Sequence, residues 1–366
     1  MEKATNRQRI LLQHLRPTSS VSHQTSDSSL SPSICLAGDS AAYHRTAAFG
    51  DDIVIVAAYR TAICKSKRGG FKDTLPDDLL AAVLKALIDR TNLNPAEVGD
   101  IIVGTVLAPG SLRAIECRMA ALYAGFPGIA AGLESMTVDA MGAIQMVNPK
   151  VISHQRAAAA AASGKFKDEI IPVSTKIVDP TTGEVRPVTI SVDDGIRPNT
   201  NMKDLAKLKP AFKKNGTTTA GNASQVSDGA GAVLLMKRSL AMQKGLPILG
   251  IFRSFAAVGV DPGVMGIGPA VAIPPAVKSA GLELSDIDLF EINEAFASQF
   301  VYCCKKLDLD REKVNVNGGA MALGHPLGAT GSGMGAAAVL ERGDCVDDLC
   351  NARAVSENNF LSKDAM

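Results

Sequence analysis

NVNGGAMALGHPLGATG is the sequence of residues 315–331, and it contains five glycines, one proline and one histidine. The histidine, His325, lies between Gly324 and Pro326 and is the only histidine in the last 200 residues. Glycine lets the backbone approach a ligand closely, and proline restricts the conformation of a loop. The pattern therefore predicts a constrained loop with His325 as a candidate functional residue. A tight loop with an incidental histidine is the alternative.

A second polar motif precedes this loop. Residues 291–296 read EINEAF and place Asn293 and Glu294 at the end of an apolar segment, where the ligand sites of α/β proteins commonly lie. The two motifs in this order, NEAF and then NGGAMALGHPLGATG, resemble the C-terminal half of the thiolase family, and within it the peroxisomal 3-ketoacyl-CoA thiolases. The resemblance implies an acyltransferase that acts on CoA thioesters.

Length and composition limit the class of protein. The 366 residues suggest two domains, and 38 basic against 37 acidic residues give no basic excess for a nucleic-acid partner. No run of 18 apolar residues is present, so we expect no membrane span. The seven cysteines form no CxxC pair, which favours free thiols in a reducing compartment over disulfides or a metal site.

Residues 1–50 differ in composition from the rest of the chain. Residues 7–15 fit the R-x6-H-L form of the N-terminal peroxisomal targeting signal, which an import receptor reads. The likeness to plant-type peroxisomal thiolases implies removal of the presequence after Cys35 and localisation in the peroxisome or glyoxysome. A mitochondrial transit peptide is the alternative, and Glu2 and Asp27 argue against it because such peptides are poor in acidic residues.

Hydrophobic patterns predict alternating strands and helices. A continuous β-branched run indicates a buried strand, and apolar residues at helical spacing indicate an amphipathic helix. On this basis we expect strands at 52–58, 100–106 and 287–293, and helices at 77–93 and 113–124. The segments 98–104 and 287–293 form a faint repeat, as expected of two duplicated halves.

The fold class that follows is α/β. The resemblance implies the thiolase fold, with two related βαβ-type halves in a layered α/β/α/β/α arrangement, incomplete in both halves. The predicted domains are listed here: a targeting presequence at 1–35, a linker at 36–50, a shortened N-terminal half at 51–240 with a remnant of the covering loop domain at about 137–219, and a shortened C-terminal half at 246–366.

Further motifs assign roles by resemblance. TAGNAS at 219–224 and DGA at 228–230 are similar to the family's segment that contacts coenzyme A, and the resemblance implies that Ser224 and Gly324 bind CoA. It also implies that His325 activates a nucleophile and, with a water held by Asn293, faces the thioester oxygen. We expect no bound cofactor, CoA and acyl-CoA as substrates, and a homodimer if the chain folds.

Segments of the family pattern are missing. Thiolases carry a nucleophilic cysteine in a C-x-SG motif, but here Phe126-Pro127 runs almost directly into residues 130–134. A second gap follows Lys150. At a third gap, after Gly331, the family's acid/base cysteine in a CxGxGxG run is absent. A nucleophile of this kind needs a lowered thiol pKa, for example at a helix N-terminus, and the sequence offers no replacement in such a position.

The remaining cysteines are assigned to structural roles. Cys64 has basic neighbours that favour the thiolate, but we interpret it as a surface-loop residue. Cys117, Cys303 and Cys304 lie in or after helices and are interpreted as small apolar residues. Three hypotheses follow: a 3-ketoacyl-CoA thiolase of fatty-acid β-oxidation, a non-catalytic thiolase remnant that acts as a dimer partner or regulator, and a CoA-binding module.

Overall fold

The computed structural model describes residues 52–106, 113–127 and 147–331, and the backbone of four further strands. The predicted presequence and linker, residues 1–50, lie outside the described residues apart from the backbone of one short strand, Ile34–Leu36. Within the described ranges, no helix combines the length and the apolar character needed to cross a membrane.

Strands and helices are interspersed along the chain, and some strands follow one another without an intervening helix. The strands are β1 (Ile34–Leu36), β2 (Ile53–Thr61), β3 (Cys64–Lys65), β4 (Ile101–Thr105), β5 (Ala131–Ser135), β6 (Ile170–Ile171), β7 (Val173–Val178), β8 (Val185–Ile190), β9 (Ser227–Asp228), β10 (Gly231–Lys237), β11 (Gly250–Val258), β12 (Leu289–Ile292), β13 (Asp344–Asp348) and β14 (Ala352–Val355). The helices are α1 (Pro76–Thr91), α2 (Arg113–Tyr123), α3 (Asn148–Ser163), α4 (Met202–Leu205), α5 (Arg238–Gln243), α6 (Gly268–Ser279) and α7 (Ala297–Lys306).

The main sheet is built around β2. Its described strands run in the order β10-β2-β11-β13-β14-β12, and β1 and β6 pair with β11 and β2. The strand β10 lies antiparallel to β2, from Gly231 opposite Arg60 to Lys237 opposite Ile53. Val54, Ile55 and Val56 are at most 2% exposed, so the predicted buried strand is confirmed.

Helix α1 covers one part of this sheet. Its first turn carries Pro76, which suits a position where no backbone donor is required, and Asp77, which favours the helix N-terminus electrostatically. The buried side includes Leu79, Val83 and Leu84, which have the spacing of one helical face. The helix therefore matches the one predicted at 77–93.

Strands β4 and β5 form a separate parallel pair, with Ile101 opposite Ala131 and Thr105 opposite Ser135. Helix α2 lies between them in the chain, so β4, α2 and β5 make up a βαβ unit. The described side chains of this unit pack on α1 through a cluster that includes Leu84, Ile101 and Phe126.

The C-terminal part of the described chain has its own core. Helices α6 and α7 pack on β12 through a cluster that includes Ile273, Phe290, Ile292 and Phe300. Both strands of the predicted repeat are present, as β4 and β12, and each follows a short 3₁₀ turn. The chain is therefore α/β, as the sequence predicts, and the two candidate site motifs follow β12 and α7.

Candidate functional site

The backbone at His325 is fixed by contacts with neighbouring segments. Its N–H donates a 2.9 Å hydrogen bond to the carbonyl of Gln225. The preceding Gly324 has a φ of +122°, and a Cβ at that position would lie 2.3 Å from Oγ of Ser227 and 2.7 Å from Cγ2 of Ile63. Only glycine fits a backbone of this conformation so close to two other segments. A glycine is therefore required at position 324 for steric reasons.

The imidazole of His325 lies between two polar side chains. Its Nε2 is 3.3 Å from Nδ2 of Asn293, and its Nδ1 is 2.6 Å from Oγ1 of Thr330. Since an amide nitrogen only donates, Nε2 is the acceptor, and the ring proton resides on Nδ1 and is donated to Thr330. His325 is 9% exposed, and burial lowers its pKa to about 4. The ring is therefore neutral at pH 7 and presents Nε2 as a base.

Asn293 is positioned by the end of β12 and the start of α7. Its carbonyl accepts a 3.0 Å hydrogen bond from Nε2 of Gln299, in the first turn of α7. Its side-chain Oδ1 is buried and has no hydrogen-bond partner among the described residues. A buried acceptor without a partner is costly and is most readily satisfied by a ligand or an ordered water.

Glu294 ties the glycine loop to two other elements. Its carboxylate accepts hydrogen bonds from Oγ of Ser153 on α3 at 2.7 Å, from Nδ2 of Asn315 at 3.0 Å and from the N–H of Met321 at 3.1 Å. Asn315 in turn bonds both the N–H and the carbonyl of Ile292 in β12. Burial raises the pKa of Glu294, and the three donors oppose this effect. The network fixes the loop that leads to His325.

Ser224 lies close to the same site. Its N–H donates a 2.9 Å hydrogen bond to the carbonyl of Ala295, two residues after Asn293. The loop before it is held by Lys150 of α3, whose Nζ donates to the carbonyls of Ala220 and Ala223 at 2.9 Å each. Burial and the charge of Arg197 lower the pKa of Lys150 to about 8. A buried ammonium thus shapes the loop that carries Ser224.

His154 lies one turn after Lys150 on α3 and is fully buried. Its Nδ1 accepts a 3.2 Å hydrogen bond from the N–H of Arg197, and its Nε2 has no partner within the described chain. Burial, together with the charges of Lys150 and Arg197, lowers its pKa to about 4. His154 is therefore a neutral acceptor that anchors the segment at Arg197.

A buried ion network connects β2 to the other side of the glycine loop. Arg60 donates to both carboxylate oxygens of Asp193, at 2.7 and 3.0 Å, and to Glu169 at 2.7 Å. Gly195, two residues after Asp193, packs against the glycine loop. A Cβ at this position would lie 2.6 Å from the carbonyls of Ala322 and Leu323. The network thus holds the segment against which the loop before His325 rests.

The described cysteines do not supply a reactive thiol. Cys64, Cys117, Cys303 and Cys304 are all buried. The prediction that Cys64 is a surface-loop residue is wrong, since it lies in β3, is 1% exposed and packs in an apolar cluster with Phe71. Burial and the nearby Asp194 raise the pKa of its thiol to about 12, and burial raises that of Cys304 to about 11. Both groups are protonated at neutral pH, opposite to what a nucleophile requires.

The structure brings the four predicted site residues, His325, Asn293, Ser224 and Gly324, to one place. Sequence reasoning did not assign a role to the residues that hold them. Thr330 was visible only as the polar residue of GATG, five positions after His325. The signal for α3 was the spacing of three of its polar residues at positions i, i+3 and i+4, namely Lys150, Ser153 and His154, which share one helical face.

Family comparisons agree with this arrangement of motifs. The family described as "Thiolase, C-terminal domain" matches residues 246–356, and "Thiolase, N-terminal domain" matches residues 53–152 and 150–239. The two N-terminal matches meet at residues 150–152. This is where the sequence motifs place the second gap.

Individual relatives extend the likeness to the whole chain. A peroxisomal 3-ketoacyl-CoA thiolase 1 of Petunia hybrida is 64% identical over an alignment of 464 residues that covers 100% of both chains. At least 98 of those 464 positions have no residue in this chain of 366. A peroxisomal 3-ketoacyl-CoA thiolase 2 of Arabidopsis thaliana is 60% identical over 462 residues, again with 100% of both chains covered.

Solved structures show the same likeness. The dimeric peroxisomal thiolase of Saccharomyces cerevisiae is 35% identical, with a TM-score of 0.70, and the match covers 84% of this chain and 98% of that one. A human mitochondrial 3-ketoacyl-CoA thiolase in complex with CoA is 31% identical, with a TM-score of 0.66, over 80% of this chain and 91% of that one.

Proposed function

Because the chain belongs to the thiolase family of acyltransferases, we propose that it acts on 3-oxoacyl-CoA and coenzyme A in peroxisomal fatty-acid β-oxidation, as a 3-ketoacyl-CoA thiolase. The observation that carries this proposal is the hydrogen-bonded pair of His325 and Asn293. It lies beside the loop of Ser224, the residue expected to contact CoA.

Each site residue has a distinct part in the proposed chemistry. Neutral His325 accepts the proton of an attacking thiol at Nε2, and the bond from Nδ1 to Thr330 fixes the ring for this purpose. Oδ1 of Asn293 can accept a hydrogen bond from a water, and this water can in turn donate to the thioester oxygen. One donor in such a position is typically worth about 2.7–4 kcal/mol in the transition state. We propose that Ser224 and Gly324 border the bound CoA, which is a substrate rather than a resident cofactor.

A second candidate function is favoured by the cysteines. The described thiols are buried, and at least 98 positions of the petunia relative have no counterpart here. Loss of a covalent nucleophile lowers kcat on the order of 10⁶-fold in a serine protease. In this candidate the chain binds CoA thioesters without turnover, either alone or as the partner of an intact thiolase.

The proposal also covers the domain limits, the targeting signal and the oligomeric state. The predicted domain limits, 51–240 and 246–366, are supported by family matches that begin and end nearby. Residues 7–15 are proposed to bind a peroxisomal import receptor, in keeping with relatives named as peroxisomal. A homodimer is proposed because the yeast structure is described as dimeric.

One experiment separates the candidates. The purified chain is assayed for CoA-dependent cleavage of a 3-oxoacyl-CoA, and CoA binding is measured by calorimetry on the same material. Turnover that is lost in His325→Ala supports the thiolase, whereas saturable binding of CoA without turnover supports the second candidate. Absence of both activities in a folded sample contradicts both. A substitution distant from the site, Lys85→Ala, is the matched control, since Lys85 pairs only with exposed Asp89.

A further inference from the structure

A cavity of about 960 Å³ lies between the strands β4 and β10. Helix α1 borders it with residues at helical spacing, among them Leu80, Leu84 and Leu87. The two strands line it in a different way, with every residue from 101 to 105 in β4 and from 231 to 234 in β10. Side chains of a strand alternate between two faces, so an unbroken run of lining residues indicates that the cavity follows the edges of both strands.

These edges are unpaired in the part of the chain that the structure describes, where β10 pairs only with β2, and β4 only with β5. Ala230 directs its backbone toward β2, because its carbonyl accepts from the N–H of Thr61 at 2.8 Å and its N–H donates to Oγ1 of Thr61 at 3.0 Å. Directions alternate along an antiparallel strand, so the N–H and C=O groups of Gly231 and Val233 point away from β2. A ligand in the cavity therefore meets backbone donors and acceptors, which another backbone satisfies best.

The edges also lack the usual protection against pairing. Natural proteins protect edge strands with charged residues, with proline or with a covering segment. Residues 101–106 and 229–234 contain no charged residue and no proline. Ile102, in the middle of β4, is 74% exposed. Both edges are therefore suited to pairing with a further strand.

The size of the cavity corresponds to one strand. Neighbouring strands lie about 4.8 Å apart, packed layers lie about 10 Å apart, and a strand advances about 3.3 Å per residue, so a six-residue strand fills roughly 950 Å³. The cavity has nearly this volume. An α-helix of the same length has a diameter of about 10–12 Å and needs a larger space.

We propose that this cavity binds an extended segment of another polypeptide chain, which adds as a strand to the edges of β10 and β4. In such β-augmentation, main-chain hydrogen bonds provide affinity and alternate side chains provide specificity. The segment that fits is about six residues long, uncharged and rich in small and β-branched residues, because the strands that it joins are apolar. The first gap in the family pattern follows Pro127, next to Phe126, which lines the cavity. The open strand edges thus lie beside a place where the chain is shorter than its relatives.

The test uses the full chain and a fluorescein-labelled peptide whose six central residues alternate valine and alanine, with a lysine at each end for solubility. We expect saturable binding in fluorescence anisotropy. A peptide with two prolines at its centre lacks one donor toward each edge and should bind about tenfold more weakly or worse. Hydrogen exchange, measured by mass spectrometry, should slow about tenfold or more in residues 100–106 and 229–236 when the first peptide is bound.

Val233→Pro tests the edge of β10 directly. Proline lacks the N–H that points away from β2, so the variant keeps the hydrogen bonds within the main sheet. We expect the valine–alanine peptide to bind this variant about tenfold more weakly or worse. Val233→Ala retains the N–H and is the matched control, for which we expect a change within about threefold. If Val233→Pro does not fold, the comparison of the two peptides on the unmodified chain gives the answer.

Several results would overturn the proposal. Absence of saturable binding to the folded chain is one. Equal affinity for the two peptides, or unchanged affinity in Val233→Pro, is another, since binding would then depend on apolar contact alone. A dimer in sedimentation whose residues 229–236 are protected from exchange without peptide would identify a second copy of the chain as the occupant instead.

Discussion

The carboxylate of Glu294 accepts a 3.1 Å hydrogen bond from the backbone N–H of Met321, four residues before His325. Its neighbour in sequence, Asn293, faces the imidazole of His325 at 3.3 Å. These two adjacent residues, at the end of β12, therefore have separate roles. Glu294 fixes the glycine loop, and Asn293 contacts the imidazole of His325 in that loop.

The first prediction concerns this division of tasks. Glu294→Ala removes the acceptor of three buried donors, and each unsatisfied buried group costs about 1–3 kcal/mol. We expect the free energy of unfolding, from urea titration, to fall by roughly 3–5 kcal/mol, the range of severe core defects. The matched control is Glu312→Gln, since Glu312 pairs with Arg156 at the surface and should change little. An equal effect of the two substitutions would contradict the role assigned to Glu294.

The second prediction concerns pH and His154. Its pKa is lowered to about 4 in the folded state, against 6.5 as the ordinary value. The unfolded chain therefore binds more protons between these values, so the contribution of this residue is present above pH 6.5 and is lost as the pH falls toward 4. The contribution is on the order of 3 kcal/mol, because one pKa unit corresponds to about 1.4 kcal/mol.

The measurement is the free energy of unfolding between pH 7 and pH 4, compared between the unmodified chain and His154→Phe. His325 has a lowered pKa and contributes with the same sign, whereas Glu294 has a raised pKa and contributes with the opposite sign. Both remain in the variant, so the difference between the two curves isolates His154. Parallel curves across this pH range would show that His154 is not buried as a neutral group.

The third prediction concerns Gly324. Alanine at this position combines an unfavourable φ of +122° with a contact of 2.3 Å to Ser227, and backbone strain of this kind costs about 1–3 kcal/mol. We expect Gly324→Ala to lower stability and to displace His325, which is seen as a rise of its pKa by NMR because the ring gains contact with water. Gly331→Ala is the control in the same loop, since no atom of the described residues lies within 4 Å of its added Cβ. A fully native histidine spectrum in Gly324→Ala would refute the steric account.

The fourth prediction concerns Arg60. Arg60→Ala removes the guanidinium that pairs with the buried carboxylates of Asp193 and Glu169, and the loss of one partner of a buried ion pair typically costs about 3–5 kcal/mol. Thermal unfolding should therefore show a large decrease in Tm. Arg60→Lys restores the charge but not the bidentate hydrogen bonding to Asp193, so we expect its Tm to lie between those of the alanine variant and the unmodified chain. Lys85→Ala, at an exposed pair with Asp89, provides the baseline and should be nearly neutral.

The sequence predicted local elements better than the contacts between them. The β-branched run of β2 and the helical spacing of α1 are local signals, and both elements lie within a few residues of their predicted limits. Cys64 was misplaced because its charged neighbours suggested a loop, while its burial depends on pairing with Asp228, more than 160 positions away in the chain. Long-range pairing of this kind leaves no periodic signal in either segment.

In the candidate site, too, residues in local motifs were predictable and residues that act through long-range contacts were not. His325 and Asn293 were found because each lies in a short, recognisable motif. Thr330 acts through a contact with the ring of His325, which exists only once the glycine loop has folded. Lys150 and His154 act through contacts with backbone distant in the chain, which exist only after α3 has packed on those segments. Their residue types alone are common and carry no such information.

The imidazole of His325 is oriented by Thr330 and Asn293, its backbone N–H is held by Gln225, and none of these hydrogen bonds involves a sulfur atom. The orientation of the base therefore does not depend on a protein thiol. The chain is therefore suited to chemical complementation. In such an experiment a small soluble thiol supplies the reactive group, and the protein contributes a pre-oriented imidazole.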